Sequence, residues 1–142
     1  MVSGERSSVT SCKSGVPQCS ILGPLLFSVY VSPVDSTISA HGLSYQQYAD
    51  DLQLYVTITP GSTTELTSLE QCVNEVSWWF LRNGLLFNPA KTEAVVFGTR
   101  QRLVRSRDRP RSVNVSGVQV TESDSVKLLS VILDSALTQI NM

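Results

Sequence analysis

The stretch Leu43-Ser44-Tyr45-Gln46-Gln47-Tyr48-Ala49-Asp50-Asp51-Leu52-Gln53-Leu54-Tyr55-Val56-Thr57-Ile58 holds two short runs, Leu43 to Tyr48 and Leu52 to Ile58, rich in aromatic and branched residues. They are joined through Ala49, Asp50 and Asp51 with no room for a long loop, which predicts a β-hairpin with acids at its tip. Two adjacent aspartates crowd like charges, and a cation or protonation must offset the repulsion. Magnesium suits that task because it takes oxygen ligands and is held by one or two carboxylates together with substrate phosphates. Two such ions about 4 Å apart stabilise both the attacking and the leaving oxygen of a displacement at phosphorus. The competing reading is an exposed acidic turn, since Asp favours turns through local hydrogen bonds. Apolar and aromatic arms on both sides, which would hold the tip rigidly, favour the metal site.

Working outward, Ile21, Leu22, Leu25, Leu26, Val29 and Tyr30 recur at three- and four-residue intervals. They predict a helix with Ser20 as N-cap, Pro24 near the first turn and Pro33 as its end. Residues 1 to 20, rich in Ser, Gly, Val and Thr, fit an edge strand running into a turn at Gly15, Val16 and Pro17. On the other side, Ser62 and Glu65 have capping-box spacing, and Leu66, Leu69, Val73, Val76, Trp79 and Phe80 continue an apolar stripe towards Gly84. Glu93 to Phe97 reads as a strand and the Arg-rich segment after it as a polar loop. Ser112 to Val120, turning at Ser116 and Gly117, and Val126 to Leu133 read as further strands. Strands and helices that do not alternate strictly imply an α+β fold, one antiparallel sheet with two helices packed on one face.

Bulk properties set the bounds. At 142 residues the chain is one domain or less. With 42% hydrophobic and 16% charged residues, it is far from the disordered class. A net charge of −1 does not announce a nucleic-acid binder, yet six of the eleven basic residues lie between Arg100 and Arg111. That strip suits phosphate contacts, or equally a solvated loop with Asp108 among the arginines. Cys12, Cys19 and Cys72 lack CxxC spacing and His41 has no cysteine beside it, so free thiols in a reducing compartment are expected. The apolar run from Ile21 to Val34 is broken by Gly23, Pro24 and Pro33 and is too short to span a bilayer. No signal peptide is evident, and no targeting sequence chooses between cytoplasm and nucleus.

Four blocks in order carry a resemblance: SGVPQCSILGPLLF at Ser14 to Phe27, YADDLQLY at Tyr48 to Tyr55, NGLLFNPAKTEAVVFG at Asn83 to Gly98, and VKLLSVILD at Val126 to Asp134. Together they are similar to the reverse transcriptases of LINE-type, non-LTR retrotransposons. The resemblance implies RNA-directed DNA polymerisation in a right-hand fold, with residues 1–142 as part of the palm. By resemblance Asp50 ligates the catalytic metal and Asp51 supports the site, with two magnesium ions in the complete enzyme. Tyr48 and Ala49 lie near the primer end, and Leu128 and Leu129 belong to a hairpin that grips the primer. Pro17, Gln18 and Cys19 surround the incoming nucleotide, and Lys91 faces departing pyrophosphate. The implied partners are an RNA template, a DNA primer and deoxynucleotides.

The chain departs from the family pattern at two glycine positions, which hold Cys19 and Ser130. Glycine serves where backbone approaches a ligand closely or adopts unusual dihedrals, so Cys19 would crowd the nucleotide or stand as a tolerated small residue. Lys91 has a plain alternative as a surface lysine after a helix-to-strand turn. Trp78 and Trp79 could stack on bases, but their place on an amphipathic helix favours core packing. The family's other metal-ligating aspartate lies on a strand upstream of SGVPQ, where this chain offers only Glu5, and fingers and thumb are also not represented. Two functions therefore compete: a polymerase fragment whose chemistry needs a longer protein, and a catalytically dead remnant that at most binds nucleic acid weakly.

Overall fold

The computed structural model of the chain describes residue 15 and residues 20–105, 111–137 and 140–141. The strand expected over residues 1 to 20 lies outside the described residues except at Gly15 and Ser20. Residues up to Pro33 form one compact unit and those from Val34 a second.

In the first unit, helix α1 spans Gly23–Val31 with Pro24 in its first turn, where a missing N–H removes no helical hydrogen bond. Ser20 is not its cap. Leu22 precedes the helix without a side-chain cap, and the Ser20 carbonyl accepts the Gly23 N–H at 3.2 Å. The apolar repeat exists but is not buried: Ile21 is 96% exposed and Leu22, Leu25, Leu26, Val29 and Tyr30 are all exposed, leaving Val31 as the buried residue of this helix.

Pro33 ends α1 as expected, but a second helix, α2 (Val34–Ala40), follows at once. Its sequence, VDSTISA, is dominated by β-branched and Ser residues of modest helix propensity. Tertiary packing overrides that preference. Val34 and Ile38 stand four apart on one face and join Leu43, Cys72 and Val76 in the buried cluster. The hairpin follows, β1 (Ser44–Tyr48) and β2 (Asp51–Tyr55), antiparallel as predicted. Helix α3 (Thr64–Arg82) then lays its apolar stripe into the same cluster. Leu69, Trp79 and Phe80 pack against the cluster from α3, and Tyr45, Leu52, Leu54 and Val56 from the hairpin side.

The C-terminal end of α3 matches its sequence signal, whereas at the N-terminal end the cap residue is Thr63, without a side-chain cap hydrogen bond, and Ser62 and Glu65 bond side chain to side chain instead of forming a capping box. The Ser62 hydroxyl donates to the Glu65 carboxylate at 2.5 Å and accepts the Thr64 N–H at 3.3 Å. The Ser62 hydroxyl, followed by the Glu65 N–H and the Thr59 hydroxyl, holds the Glu65 carboxyl below its usual range. At the C-terminus Leu85 N–H bonds Phe80 O at 2.9 Å and Gly84 N–H bonds Leu81 O at 3.2 Å. This is the Schellman arrangement, and Gly84 takes the left-handed conformation it needs, φ 69°.

The single antiparallel sheet of the sequence analysis is instead, among the described residues, three small sheets. Besides β1–β2 there is a mixed sheet in the order β3-β5-β4, in which β3 (Ala94–Val95) runs parallel to β5 (Val118–Ser123) and β4 (Ser112–Val115) antiparallel to it. The third is antiparallel, β6 (Ser125–Leu128), β7 (Val131–Asp134) and β8 (Ile140–Asn141). The fold is α+β, but the strand expected over Glu93 to Phe97 shrinks to two residues. The Arg-rich loop begins as a helix, α4 (Arg100–Arg105), capped by Thr99 Oγ1, which accepts the Arg102 N–H at 3.4 Å. Residues 106–110 lie outside the described residues. Two-residue turns close both later hairpins, Ser116-Gly117 with φ 50° and 86°, and Leu129-Ser130 with φ 46° and 73°. Positive φ at both central positions matches the twist of paired strands.

Two outcomes follow for stability. Gly84→Ala should lower it by about 1 kcal/mol, since only the backbone conformation and no neighbouring atom opposes the added methyl, whereas Ser130→Gly should raise it by about 1 kcal/mol; urea midpoints measure both. Cys72 is wholly buried and its thiol is pushed up to about 11, first by burial and then by the Glu75 charge. In a Cys12→Ser, Cys19→Ser variant, alkylation at pH 8 should therefore be slow in buffer and rise only as urea unfolds the chain.

Candidate metal and nucleic-acid site

Strand pairing sets the geometry of the acidic turn. Tyr48 pairs with Asp51, so Ala49 and Asp50 alone make the loop and Asp51 is the first residue of β2. Ala49 has φ 52°, a left-handed conformation that costs a residue with a Cβ about 1–2 kcal/mol. Gln47 holds it there, its Nε2 donating to the Ala49 carbonyl at 3.0 Å.

Alternation along the strands then divides the side chains. Tyr45, Leu52 and Leu54 face the buried cluster. The opposite face carries three cross-strand pairs: Tyr48 with Asp51, Gln46 with Gln53, and Ser44 with Tyr55. Asp50 and Asp51 are exposed, as are Tyr48 at 62% and Tyr55 at 47%. Tyr55 Oη donates to Gln53 Oε1 at 2.5 Å. On the inner side Tyr45 bonds Asp35 of α2, and burial followed by the Asp35 charge raises the Tyr45 pKa.

Among the described residues no group of three or more His, Cys, Asp or Glu side chains is gathered. Two exposed carboxylates on a clamped turn suit a hard cation that takes its remaining ligands from water or substrate phosphates. No larger cage of protein ligands is present among the described residues. A cavity of about 420 Å³, lined by His41, Tyr55, Thr64 and Glu65 among others, lies at the other end of the hairpin from the aspartates.

Of the other residues singled out in the sequence, Lys91 is exposed at the end of a 3-10 turn, Pro89–Lys91, that Asn88 caps by accepting the Ala90 N–H at 3.1 Å. No hydrogen bond or ion pair among the described residues joins it to the acidic turn. Leu128 ends β6 and Leu129 sits 56% exposed in the β6–β7 turn. Pro17, Gln18 and Cys19 lie outside the described residues. Trp79 packs in the core edge-to-face on Phe80, with ring centres 5.5 Å apart. Trp78 corrects the expectation of core packing: it is 60% exposed and lines an open, mostly apolar depression with Leu81, Leu85, Leu86 and Phe87.

Sequence reasoning missed three polar features. Gln47 and Gln53 looked like ordinary strand residues, and nothing in their spacing marks the contacts they make. Helix α3 also carries a polar stripe at Glu70, Asn74 and Ser77, whose helical spacing was the available signal. Glu70 Oε1 accepts the Asn114 N–H at 2.7 Å, Asn74 Oδ1 accepts the Ser116 N–H at 3.3 Å, and the Ser77 and Ser116 hydroxyls bond at 2.7 Å. No helix among the described residues is long and apolar enough to cross a membrane.

Comparison with known proteins agrees with the four sequence blocks. The RNA-directed DNA polymerase from mobile element jockey of Drosophila funebris is 30% identical over 141 residues, covering 95% of this chain and 14% of that protein. The probable RNA-directed DNA polymerase from transposon X-element of Drosophila melanogaster is 31% identical over 130 residues, 88% of this chain and 13% of its own length. The jockey polymerase of Drosophila melanogaster is 26% identical over 142 residues. The chain thus spans about one seventh of the length of these relatives, from 13% to 15%. No solved structure matches it. The family model described as reverse transcriptase (RNA-dependent DNA polymerase) matches residues 1–133, and with relatives that are jockey and X-element polymerases of the LINE type, the chain belongs to the reverse transcriptase family.

Proposed function

We propose that this chain is palm sequence of an RNA-directed DNA polymerase and that its acidic hairpin is the part of the active site that holds catalytic magnesium. The observation that supports this best is the turn itself. Asp50 and Asp51 sit side by side at the end of a hairpin whose strained Ala49 is clamped by Gln47 and whose arms are packed on α2 and α3. Pre-setting of this kind keeps two carboxylates in place with no protein cation bonded to them among the described residues.

In this reading Asp50 and Asp51 hold the metal through their carboxylate oxygens, with substrate phosphates completing its ligands. Magnesium held there supplies positive charge to the reacting phosphate and to the oxygens that attack and leave. Tyr48 and Ala49 border the primer end. Pro17, Gln18 and Cys19 contact the incoming nucleotide, Lys91 meets pyrophosphate, and Leu128 and Leu129 belong to the primer grip. The partners are an RNA template, a DNA primer and deoxynucleotides. A second reading, a remnant without activity, draws on one observation: Leu129 and Ser130 occupy positive-φ positions where the family carries glycine at the latter.

The test is a jockey polymerase in which this chain replaces the segment it matches. With magnesium it should extend a DNA primer on an RNA template, and Asp50→Asn or Asp51→Asn should reduce extension more than about a hundredfold, the scale for losing an electrostatic stabiliser of the reacting group. A folded chimaera that never extends, or one indifferent to both substitutions, would refute the reading in favour of the remnant. Residues 1–142 alone should give no extension, since among the described residues no third His, Cys, Asp or Glu side chain joins Asp50 and Asp51, and two carboxylates do not make a two-metal centre.

A further inference from the structure

The outer face of the β1–β2 hairpin does more than expose the acids. Behind the Tyr48–Asp51 pair lie Gln46 with Gln53, then Ser44 with Tyr55, a strip of hydroxyls and amides with no lysine or arginine on it. Tyr55 Oη donates to Gln53 Oε1 at 2.5 Å. That bond orients the amide, and no hydrogen bond among the described residues uses Gln53 Nε2. An ordered amide with two uncommitted N–H donors beside a pair of carboxylates is suited to an oxygen-rich ligand rather than to water alone.

We propose that Gln53, oriented by Tyr55 and flanked by Gln46, is a positioning residue that donates hydrogen bonds to sugar and phosphate oxygens of the primer strand just behind its reacting end. The proposal rests on the assignment of Asp50 and Asp51 as metal ligands, which puts the primer terminus at the turn. Along an antiparallel strand two residues advance about 6.8 Å, and a nucleic-acid strand rises about 3.4 Å per nucleotide. The Gln46–Gln53 pair therefore stands about two nucleotides from the acids for a primer running along the hairpin. Neutral donors suit this place. A lysine or arginine two residues from Asp51 would ion-pair with the carboxylates and compete with the metal, whereas an amide binds phosphate oxygen and leaves the acids free. Contacts of this type set register on the duplex and carry no sequence information.

Two measurements test the proposal. Fluorescence anisotropy of the full 142-residue chain with a labelled RNA–DNA hybrid should show Gln53→Leu weakening binding about three- to tenfold, the range for one lost hydrogen bond. Gln53→Leu should leave the salt slope unchanged, since no cation is removed. In the polymerase chimaera the same substitution should raise KM for primer–template by a similar factor with kcat within about twofold. Gln53→Met should give the same loss, because it keeps the length of the side chain, removes both donors and adds no charge beside the aspartates. Tyr55→Phe should give a smaller loss of the same kind. Wild-type affinity and KM in Gln53→Leu and Gln53→Met would overturn the proposal and leave the metal assignment standing. A chimaera without extension, with hybrid binding still weakened by Gln53→Leu, would count against the metal assignment and not against this contact.

Discussion

The apolar layer between α2, α3 and the β1–β2 hairpin is the contact on which the rest of the second unit depends. Ile38 and Cys72 are 0% exposed, Val34 2% and Val76 3%, and full burial of a side chain of this size contributes about 1.5–3 kcal/mol. The layer also decides which way the hairpin faces. Side chains alternate along a strand, so a slip of β2 by one residue would turn Leu52 and Leu54 to solvent and Asp51 into the core. The carboxylates are on the open face because the leucines are not.

Helix α3 extends that order to the next sheet. Its apolar stripe closes the layer, and its polar stripe, Glu70, Asn74 and Ser77, satisfies backbone N–H groups of β4 and of the turn after it. Asn114, once held, passes the constraint on, its Oδ1 accepting the Gly117 N–H at 2.9 Å. One helix therefore fixes a β-hairpin on each of two sides, by burial on one and by hydrogen bonds to otherwise unpaired amides on the other.

What could be read from the sequence follows the same division. Local signals with a strong mechanism were legible: the acidic hairpin, although Asp51 opens β2 where the sequence places it in the connection, the Gly84 boundary of α3, and the Ser116-Gly117 turn. Features decided by tertiary contact were not. Nothing in VDSTISA announces α2, whose weak propensity is overridden when Val34 and Ile38 meet Cys72 and Val76. The parallel pairing of β3 with β5 joins residues distant in sequence, and the exposure of Trp78 depends on which side of α3 the hairpin occupies. Of the residues proposed for the site, Tyr48 to Asp51 were readable from pattern and from family likeness, whereas Gln47 and Gln53 make single contacts that leave no periodic trace.

Two turns of the same length carry backbone strain under different support. In the β1–β2 turn Ala49 is strained beside Asp50, and Gln47, from the neighbouring strand position, bonds its carbonyl. Strain of this kind persists where the surroundings over-determine it, and it commonly marks a position where backbone and ligand must meet. In the β6–β7 turn Leu129 and Ser130 are both left-handed, yet no side-chain hydrogen bond among the described residues holds either. There glycine would relieve strain at no loss of contact. At Ala49 it would relieve strain but also loosen the clamp's grip on the carboxylates' position, since a glycine samples far more of backbone space. The same backbone irregularity is thus held by a side-chain bond in one hairpin and left without one in the other among the described residues, and the difference lies in the single amide of Gln47.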